Sequence, residues 1–304
     1  MTPPSPRDAL SVGVIGTGAM GGGVVQSLVR AGIATFARDI RADAAARAVA
    51  AGASSCASPA ALARACDIVI VLVVDADQVE TVLFGADGVA AAGTRDRVVL
   101  LSSTVDPAYV NALASRLAVP ALALLDAPVS GGPGKAAAGT MSMMVSGDPA
   151  ALVRARPVLD RIAGHVFELG PRAGDASTFK IVNNLLAGAN LAAAAEALAI
   201  AKAAGLDLER ARDVVNASSG ASWIFADRIE RALTADFAPR AAAKLLAKDV
   251  AIAAALAERL RVDAPFSKLA SRAFAAAVAA GHAEDDDAIL VRLALDAADR
   301  SDDR

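Results

Sequence analysis

Lys180, Asn183 and Asn184 stand at i, i+3 and i+4 of one Pro-free stretch, and together they have the makings of proton transfer and hydrogen bonding. On a helix this spacing puts the amine and at least one amide on a single face. A free lysine titrates near ~10.4, too high for a ready base at neutral pH, and burial or a nearby cation lowers that value. The plainer alternative is a solvated lysine near a helix start, with the asparagines as weak helix formers. A second set is Ser130-Gly131-Gly132. A hydroxyl beside two glycines offers a small nest of backbone donors suited to a carboxylate.

A third set is Gly16, Gly18 and Gly21 within GTGAMGGG at 16–23, spaced as G-x-G-x-x-G. A short apolar run, Val12–Ile15, precedes it, and Val24, Val25, Leu28 and Val29 follow with helical period as far as Gly32. In that strand–turn–helix context Gly16 permits the tight turn and Gly18 lets the backbone approach a pyrophosphate. Gly21 allows helix to pack closely on strand. Free N–H groups at the new helix start face the phosphates. A second apolar run, Ile33–Ala37, leads to Asp39, about 18 residues beyond Gly21. An acidic residue there accepts the ribose hydroxyls of NAD and repels a 2′-phosphate. Arg38 and Arg41 flank it and keep NADP possible.

The elements that must position these sets follow from periodicity. Further strands are expected at Ile68–Val74, Val98–Leu101, Leu122–Asp126, Ser142–Val145 and Val166–Glu168, with helices near 42–51, 58–65, 77–83, 106–117 and 148–162. The apolar 68–74 run suits a parallel strand covered on both faces. Ligands in such sheets sit beyond the carboxyl ends of strands, so Val74-Asp75, Ser102-Ser103-Thr104 and 126–132 are candidate loops. Asp75 and Asp106 have a simpler reading as helix caps. From 174 to 203 good helix formers continue for about eight turns. Beyond it the patterns are helical only, near 207–217, 224–233, 240–260, 265–280 and 286–299, with Asp207 and Asp236 as helix starts. The fold class expected is α/β: an N-terminal Rossmann-type doubly wound parallel sheet, joined by a long helix to an all-α C-terminal domain. The domains read as a loose tail over 1–10, a dinucleotide-binding domain over 11–172 and a helical substrate or oligomerisation domain over 173–304.

Composition excludes several classes. The 304 residues are 55% hydrophobic and 21% charged, with a formal net charge of −3, so no electrostatic footprint for nucleic acid is present. Asn190, Glu196 and Lys202 interrupt the Ala-rich run after 185, which argues against a membrane span. The Pro-rich, polar start lacks the apolar segment of a signal peptide. Cys56 and Cys66 cannot build a disulfide framework, in keeping with a reducing, cytoplasmic setting. No metal-ligand set is expected. Trp223, the only tryptophan, reads as core; the acidic run Glu284–Asp287 as a solvated face or helix start; His165 and His282 as unpartnered turn residues. Lys248 and Asp249 alone read as a solvent-facing charge couple.

Taken together, the chain resembles the β-hydroxyacid dehydrogenase family from about 11 to 298, on four motifs in order: GTGAMG at 16–21, DAPVSGG at 126–132, GDASTFKIVNN at 174–184 and KDV at 248–250. Within it, QVETVLFGADGV at 78–89, LLAGANLAAAAEALA at 185–199, SWIF at 222–225 and EDDDA at 284–288 resemble the L-threonate dehydrogenase branch. Asn183-Asn184 instead matches the broader family, where that branch is expected to carry His-Gln or His-His. The resemblance implies reversible hydride transfer between a small 3-hydroxy acid and NAD, or NADP, with Lys180 as the catalytic acid/base. It implies cofactor contacts from Gly16, Thr17, Gly18, Ala19, Met20, Gly21, Asp39, Val73, Val74, Thr104 and Lys248, the last also a second cation near Lys180. It implies substrate contacts from Ser130, Gly131, Gly132, Lys180, Asn184 and Trp223. Homodimers or homotetramers are expected, with no nucleic-acid or membrane partner. The substrate readings are a four-carbon sugar acid such as L-threonate, 3-hydroxyisobutyrate, or tartronate semialdehyde. Two rivals are an imine reductase, against which Lys180 argues, and a noncatalytic dinucleotide-binding protein.

Overall fold

The computed structural model describes residues 10–302, so apart from Leu10 the expected tail lies outside the described residues. Nine strands form along the chain: β1 (Ser11–Ile15), β2 (Ala34–Arg38), β3 (Ser54–Ser55), β4 (Ile68–Val71), β5 (Arg97–Leu101), β6 (Leu122–Asp126), β7 (Val129–Ser130), β8 (Met141–Gly147) and β9 (Ala163–Glu168). They lie in the order β3-β2-β1-β4-β5-β6-β8-β7, with β9 against β8. β3 to β6 run parallel, β8 runs antiparallel to β6 and β7, and β9 is parallel to β8.

The apolar strands are doubly covered because successive side chains point to opposite faces. Val12, Val14, Ile68, Ile70, Val98 and Leu100 pack with helices Ala19–Arg30 and Pro149–Ile162 in one core. Ile15, Val69, Val71, Val99 and Leu101 pack with Pro59–Ala65, Ala76–Phe84 and Pro107–Ala118 in another. This is the Rossmann-type doubly wound sheet that the alternating strand and helix patterns predict.

Three details differ from the sequence reading. The 68–74 strand ends at Val71, because the chain turns there to feed the helix that Asp75 caps. Two-residue β3 is too short for a periodic signal. The 126–132 stretch is not a plain loop: β7 carries Ser130, and a short helix, Gly132–Ala138, starts at once behind it.

The chain divides into two compact units, Met1–Lys180 and Ile181–Arg304, with the division inside the long helix Asp175–Ala203. The second unit adds helices Leu208–Asn216, Trp223–Leu233, Ala243–Arg259, Pro265–Ala277 and Ile289–Asp302. By length and composition alone Asp175–Ala203 could cross a membrane, with mean hydropathy 1.4. Its Leu191, Ala194, Ala195 and Leu198 instead form the core of the second unit with Ile229, Val250 and Phe274. A Cβ on Gly188 would lie 2.4 Å from Val250 Cγ1, so the glycine permits this helix to pack closely on Ala243–Arg259.

The second unit also overturns four expectations. Asp286 and Asp287 are buried, not solvated; Arg231 pairs with Asp286 at 2.5 Å, and Arg228 binds both oxygens of Asp287. Trp223 is 63% exposed, with the Arg228 guanidinium 5.9 Å from its ring centroid, because the core contacts at its helix start come from Ile224 and Phe225. His282 has a partner, Asp285 Oδ2 at 2.7 Å from Nδ1. Asp236 starts no helix: it accepts from Ala238 N–H and pairs with Arg240, and the helix begins later, at Ala243. Asp207 does cap, as do Asp75, Asp106, Ser58, Asp148 and Ser222.

Candidate active site

Because β1, β4, β5 and β6 run parallel, their carboxyl ends share one sheet edge, the place where such sheets bind ligands. Leaving that edge are Gly16–Gly21 after β1, Val73 and Val74 after β4, Ser102–Thr104 after β5, and 126–132 from the end of β6.

The glycine loop has the shape its spacing predicts. Gly16 has φ +88°, and a Cβ there would lie 2.4 Å from Leu72 O; a Cβ on Gly21 would lie 1.9 Å from Gly16 O. Those two glycines are required by the fold itself. Gly18 is different: its φ is −62°, and a Cβ would meet only Arg41 Nη2, at 3.4 Å. Its bare backbone faces open space, as an approaching pyrophosphate needs. No side chain caps the helix Ala19–Arg30, which begins here with exposed Ala19 and half-buried Met20, so its N–H groups suit an anion.

Asp39, just past β2, is tied to this loop. Its Oδ2 accepts Thr17 N–H at 2.7 Å and the Thr17 hydroxyl at 3.3 Å; Oδ1 accepts Arg41 N–H at 2.9 Å, with Arg41 Nε at 3.7 Å. Arg38 Nη1 donates to the Asp39 carbonyl at 2.7 Å. A carboxylate offers about four acceptor positions, so capacity remains for ribose hydroxyls. These features fit a nicotinamide dinucleotide.

Val73 and Val74 are held by a serine of the candidate loop 102–104 and by Gln78. Val73 N–H donates to Ser103 Oγ at 2.8 Å, and Val74 N–H to Gln78 Oε1 at 3.1 Å. Thr104 lies half-buried next to that serine. Ser130 pairs with Ser142 across β7 and β8. Gly131 and Gly132 have φ +129° and +77°, left-handed conformations that favour glycine. Lys135 folds over Gly131, whose Cβ would lie 2.8 Å from the Lys135 Cδ.

The first turn of the long helix is gripped by Asp126, the last residue of β6. Asp126 Oδ2 accepts N–H bonds from Gly174 at 2.9 Å and Ser177 at 2.8 Å, and Oδ1 accepts the Ser177 hydroxyl at 2.7 Å. Ser146 Oγ donates to Asp126 Oδ2 at 3.4 Å and accepts Ala176 N–H at 3.0 Å. Burial pushes the Asp126 carboxyl above its ordinary value, while these donors pull it back. Lys180 follows one turn after Ser177 and is only 8% exposed.

In the second unit Asn184 is buried and fully oriented. Its Nδ2 donates to Asp249 Oδ2 at 2.5 Å, and its Oδ1 accepts from Asn183 Nδ2 at 3.0 Å. Lys248 Nζ lies 2.9 Å from Asp249 Oδ1. The Lys248–Asp249 couple is therefore not solvent-facing: the buried Asp249 draws both the lysine and the asparagine to it. Trp223 belongs to this unit and lies beside Arg228 instead.

A concavity of about 380 Å³ beside the long helix start, lined by Pro107, Asn111, Arg172, Gly174, Asp175 and Thr178, contains none of the expected site residues. Among the described residues no group of His, Cys, Asp or Glu is placed to hold a metal ion. Ser103, Asp126 and Ser177 lie in segments the sequence marked as candidates, but no role of their own was expected for them. Their strand-end and motif positions are the signal the sequence carries, since bonds between residues so far apart in the chain leave no periodic trace.

Residues 11–170 match the family model described as the NAD binding domain of 6-phosphogluconate dehydrogenase. Residues 174–294 match that described as NAD-binding of NADP-dependent 3-hydroxyisobutyrate dehydrogenase. The chain is 44% identical over 283 residues to L-threonate dehydrogenase from Cupriavidus necator, covering 93% of this chain and 95% of that protein. It is similar to the crystal structure of 3-hydroxyisobutyrate dehydrogenase from Salmonella typhimurium, with TM-score 0.87, 40% identity, and 93% and 99% of the two chains covered. Psf3 in complex with NADP+ and 2-OPP is also similar, at TM-score 0.85 and 28% identity over 93% and 99% of the chains.

Proposed function

The chain belongs to the β-hydroxyacid dehydrogenase family, that of 3-hydroxyisobutyrate dehydrogenase, and on that premise we propose that it moves hydride between NAD and a four-carbon sugar acid such as L-threonate. It is a nicotinamide-dinucleotide-dependent dehydrogenase of small hydroxy acids. The observation that carries the reading is a buried amine, Lys180, one turn beyond a clamped helix start at the ligand-binding edge of the sheet.

The dinucleotide, when bound, supplies the hydride acceptor. In the oxidative direction the carbinol C–H bond breaks as hydride and the hydroxyl proton passes to Lys180 Nζ, so charge and atoms balance. The Ser130 hydroxyl and the N–H groups of Gly131 and Gly132 hold the substrate carboxylate. Asn184 holds a substrate hydroxyl through the amide proton left over from its bond to Asp249. Trp223 lines the substrate, and Thr104 and Val74 flank the nicotinamide. Gly16–Gly21 with Thr17, Ala19 and Met20 take the pyrophosphate, and Val73 and Lys248 complete the cofactor contacts. Asp39 favours NAD over NADP by accepting the ribose hydroxyls.

One observation favours a second substrate reading, 3-hydroxyisobutyrate or tartronate semialdehyde: the Asn183-Asn184 pair departs from the sugar-acid branch. Assembly as a homodimer or homotetramer is supported by Phe179, Val182, Leu186 and Ile200, exposed apolar residues on one helix. A cytoplasmic setting is supported by the unpaired thiols of Cys56 and Cys66.

The test is reduced-cofactor formation with NAD or NADP against L-threonate, D-erythronate, D-glycerate and 3-hydroxyisobutyrate. Fastest turnover of a four-carbon acid with NAD is expected; preference for 3-hydroxyisobutyrate replaces the sugar-acid reading with the second. Lys180→Ala is expected to keep cofactor binding and lose turnover. Near-normal turnover with that variant removes the acid/base assignment.

A further inference from the structure

We infer that Asp126 is a positioning residue that sets where Lys180 stands relative to the carboxylate-binding loop 130–132, an inference resting on the acid/base reading of Lys180. Six other helices are capped by the residue just before them: Ser58, Asp75, Asp106, Asp148, Asp207 and Ser222. The longest helix is capped differently. Its first N–H groups go to a carboxylate 48 and 51 residues away, at the end of a central strand. A local Asp or Ser would satisfy those donors equally well. What the distant carboxylate adds is a fixed tie between the helix and the sheet edge.

The tie is tight on three counts. Asp126 is fully buried and binds Ser177 twice, through N–H and hydroxyl. Ser146 on β8 bridges Asp126 to Ala176, so two strands hold the same turn. Gly174 has φ +98°, and a Cβ there would lie 2.7 Å from Pro107 O, so the helix start is also pressed against its neighbour. Lys180 comes one rigid turn later, and helix rise puts it about 4.5 Å along the axis from Ser177. Four residues past Asp126 in the other direction comes Ser130. One carboxylate thus fixes both the helix that carries the amine and the segment that carries the loop. Displacing reacting groups by about 1 Å costs on the order of 100-fold in rate.

The experiment measures kcat, KM, the deuterium isotope effect on kcat with substrate labelled at the carbinol carbon, and NADH binding stoichiometry. It uses the full-length chain as wild type, Asp126→Asn, Ser177→Ala and Lys180→Ala. In Asp126→Asn one neutral oxygen replaces the charged pair of acceptors, so the Gly174 and Ser177 N–H groups and the Ser177 hydroxyl no longer all keep a charged acceptor and the tie on the first turn weakens. The expected result is a kcat fall of roughly 100-fold, KM within about threefold, full NADH binding and a larger isotope effect. Ser177→Ala, which removes one bond and keeps the fold should Asp126→Asn fail to fold, is expected to lower kcat by roughly 5- to 10-fold with the same rise in isotope effect. A merely structural role lowers kcat through loss of folded protein and leaves the isotope effect where it was. Wild-type isotope effects in the folded variants, with Lys180→Ala inactive, overturn the positioning of Lys180 by Asp126. Near-normal turnover of Lys180→Ala overturns the underlying reading instead.

Discussion

The sheet-bearing unit buries Asp39 and Asp126 against N–H and hydroxyl donors, whereas the helical unit buries Asp286 and Asp287 against the guanidinium groups of Arg228 and Arg231. The cation nearest the Asp39 carboxylate, Arg41, is largely exposed and sits at 3.7 Å, while Arg38 donates to the Asp39 backbone carbonyl. Both arrangements meet the requirement that buried charge be satisfied. They leave different residues of charge. Neutral donors orient a carboxylate and let it keep its charge and its spare lone pairs for a ligand or a neighbouring helix. A buried guanidinium consumes both, and what it supplies is a tie between helices: Arg228 and Arg231 on Trp223–Leu233 meet the chain segment just before Ile289–Asp302. The first arrangement suits a binding site, the second a scaffold.

The largest test of that distinction is to remove a cation from the scaffold. Arg228→Met leaves Asp287 buried without its counter-charge, and the expected loss of unfolding free energy is about 3–5 kcal/mol. Urea denaturation measures it, and NADH affinity of the folded fraction is expected to stay within about twofold. Adding Asp287→Leu to the same chain is expected to return most of the loss, because a well-packed apolar pair avoids the desolvation cost. A loss below about 1 kcal/mol for Arg228→Met means that the pair is a solvated couple after all.

A smaller effect is expected at the site. Asp39→Ala removes an acceptor that orients the glycine loop through Thr17 and, in the proposed complex, takes the ribose hydroxyls. NAD affinity is expected to fall about 10- to 100-fold and NADP affinity to change far less, with Arg38 and Arg41 still beside the vacated position. Titration of both cofactors by fluorescence reads the ratio. An equal fall for both makes Asp39 a loop brace only.

The same contrast explains what could be read in advance. The glycine loop, Asp39, the apolar strands and the long helix are local or periodic signals, and each appears near its expected place. Helix caps at Asp75 and Asp106 likewise depend on two or three adjacent residues. Of Glu284–Asp287, read as a solvated face or a helix start, the last two residues stand just ahead of Ile289–Asp302 but are buried, and the two arginines that pair with them lie more than fifty residues earlier. Trp223 was misread as core because its size predicts burial, while Ile224 and Phe225 take the inward positions of that turn. Asp126 stood in plain view at the head of DAPVSGG, yet its partners in Gly174 and Ser177 follow from topology and not from spacing.

The smallest expected effect concerns pH. Burial raises the Asp287 carboxyl from 3.8 to about 6, with Arg228 pulling against the shift. The Asp286 carboxyl is lowered: burial opposes this, but Arg231 and the N–H groups of Ala288, Arg240 and Ala241 outweigh it. Between 3.8 and about 6 the folded protein keeps a proton on Asp287 that the unfolded chain has released. Protonation of this group therefore adds stability as pH falls from 7 through 6 towards 4. Asp286 acts in the opposite sense and lower down: its contribution is present above 3.8 and is lost as pH falls below that value. Urea midpoints taken between pH 7 and pH 5 are thus expected to rise by an amount that Asp287→Asn removes, a change of at most one proton in the linkage slope. An unchanged slope in Asp287→Asn would mean that Arg228 holds Asp287 ionised throughout, so that the buried pair stays fully charged over this range.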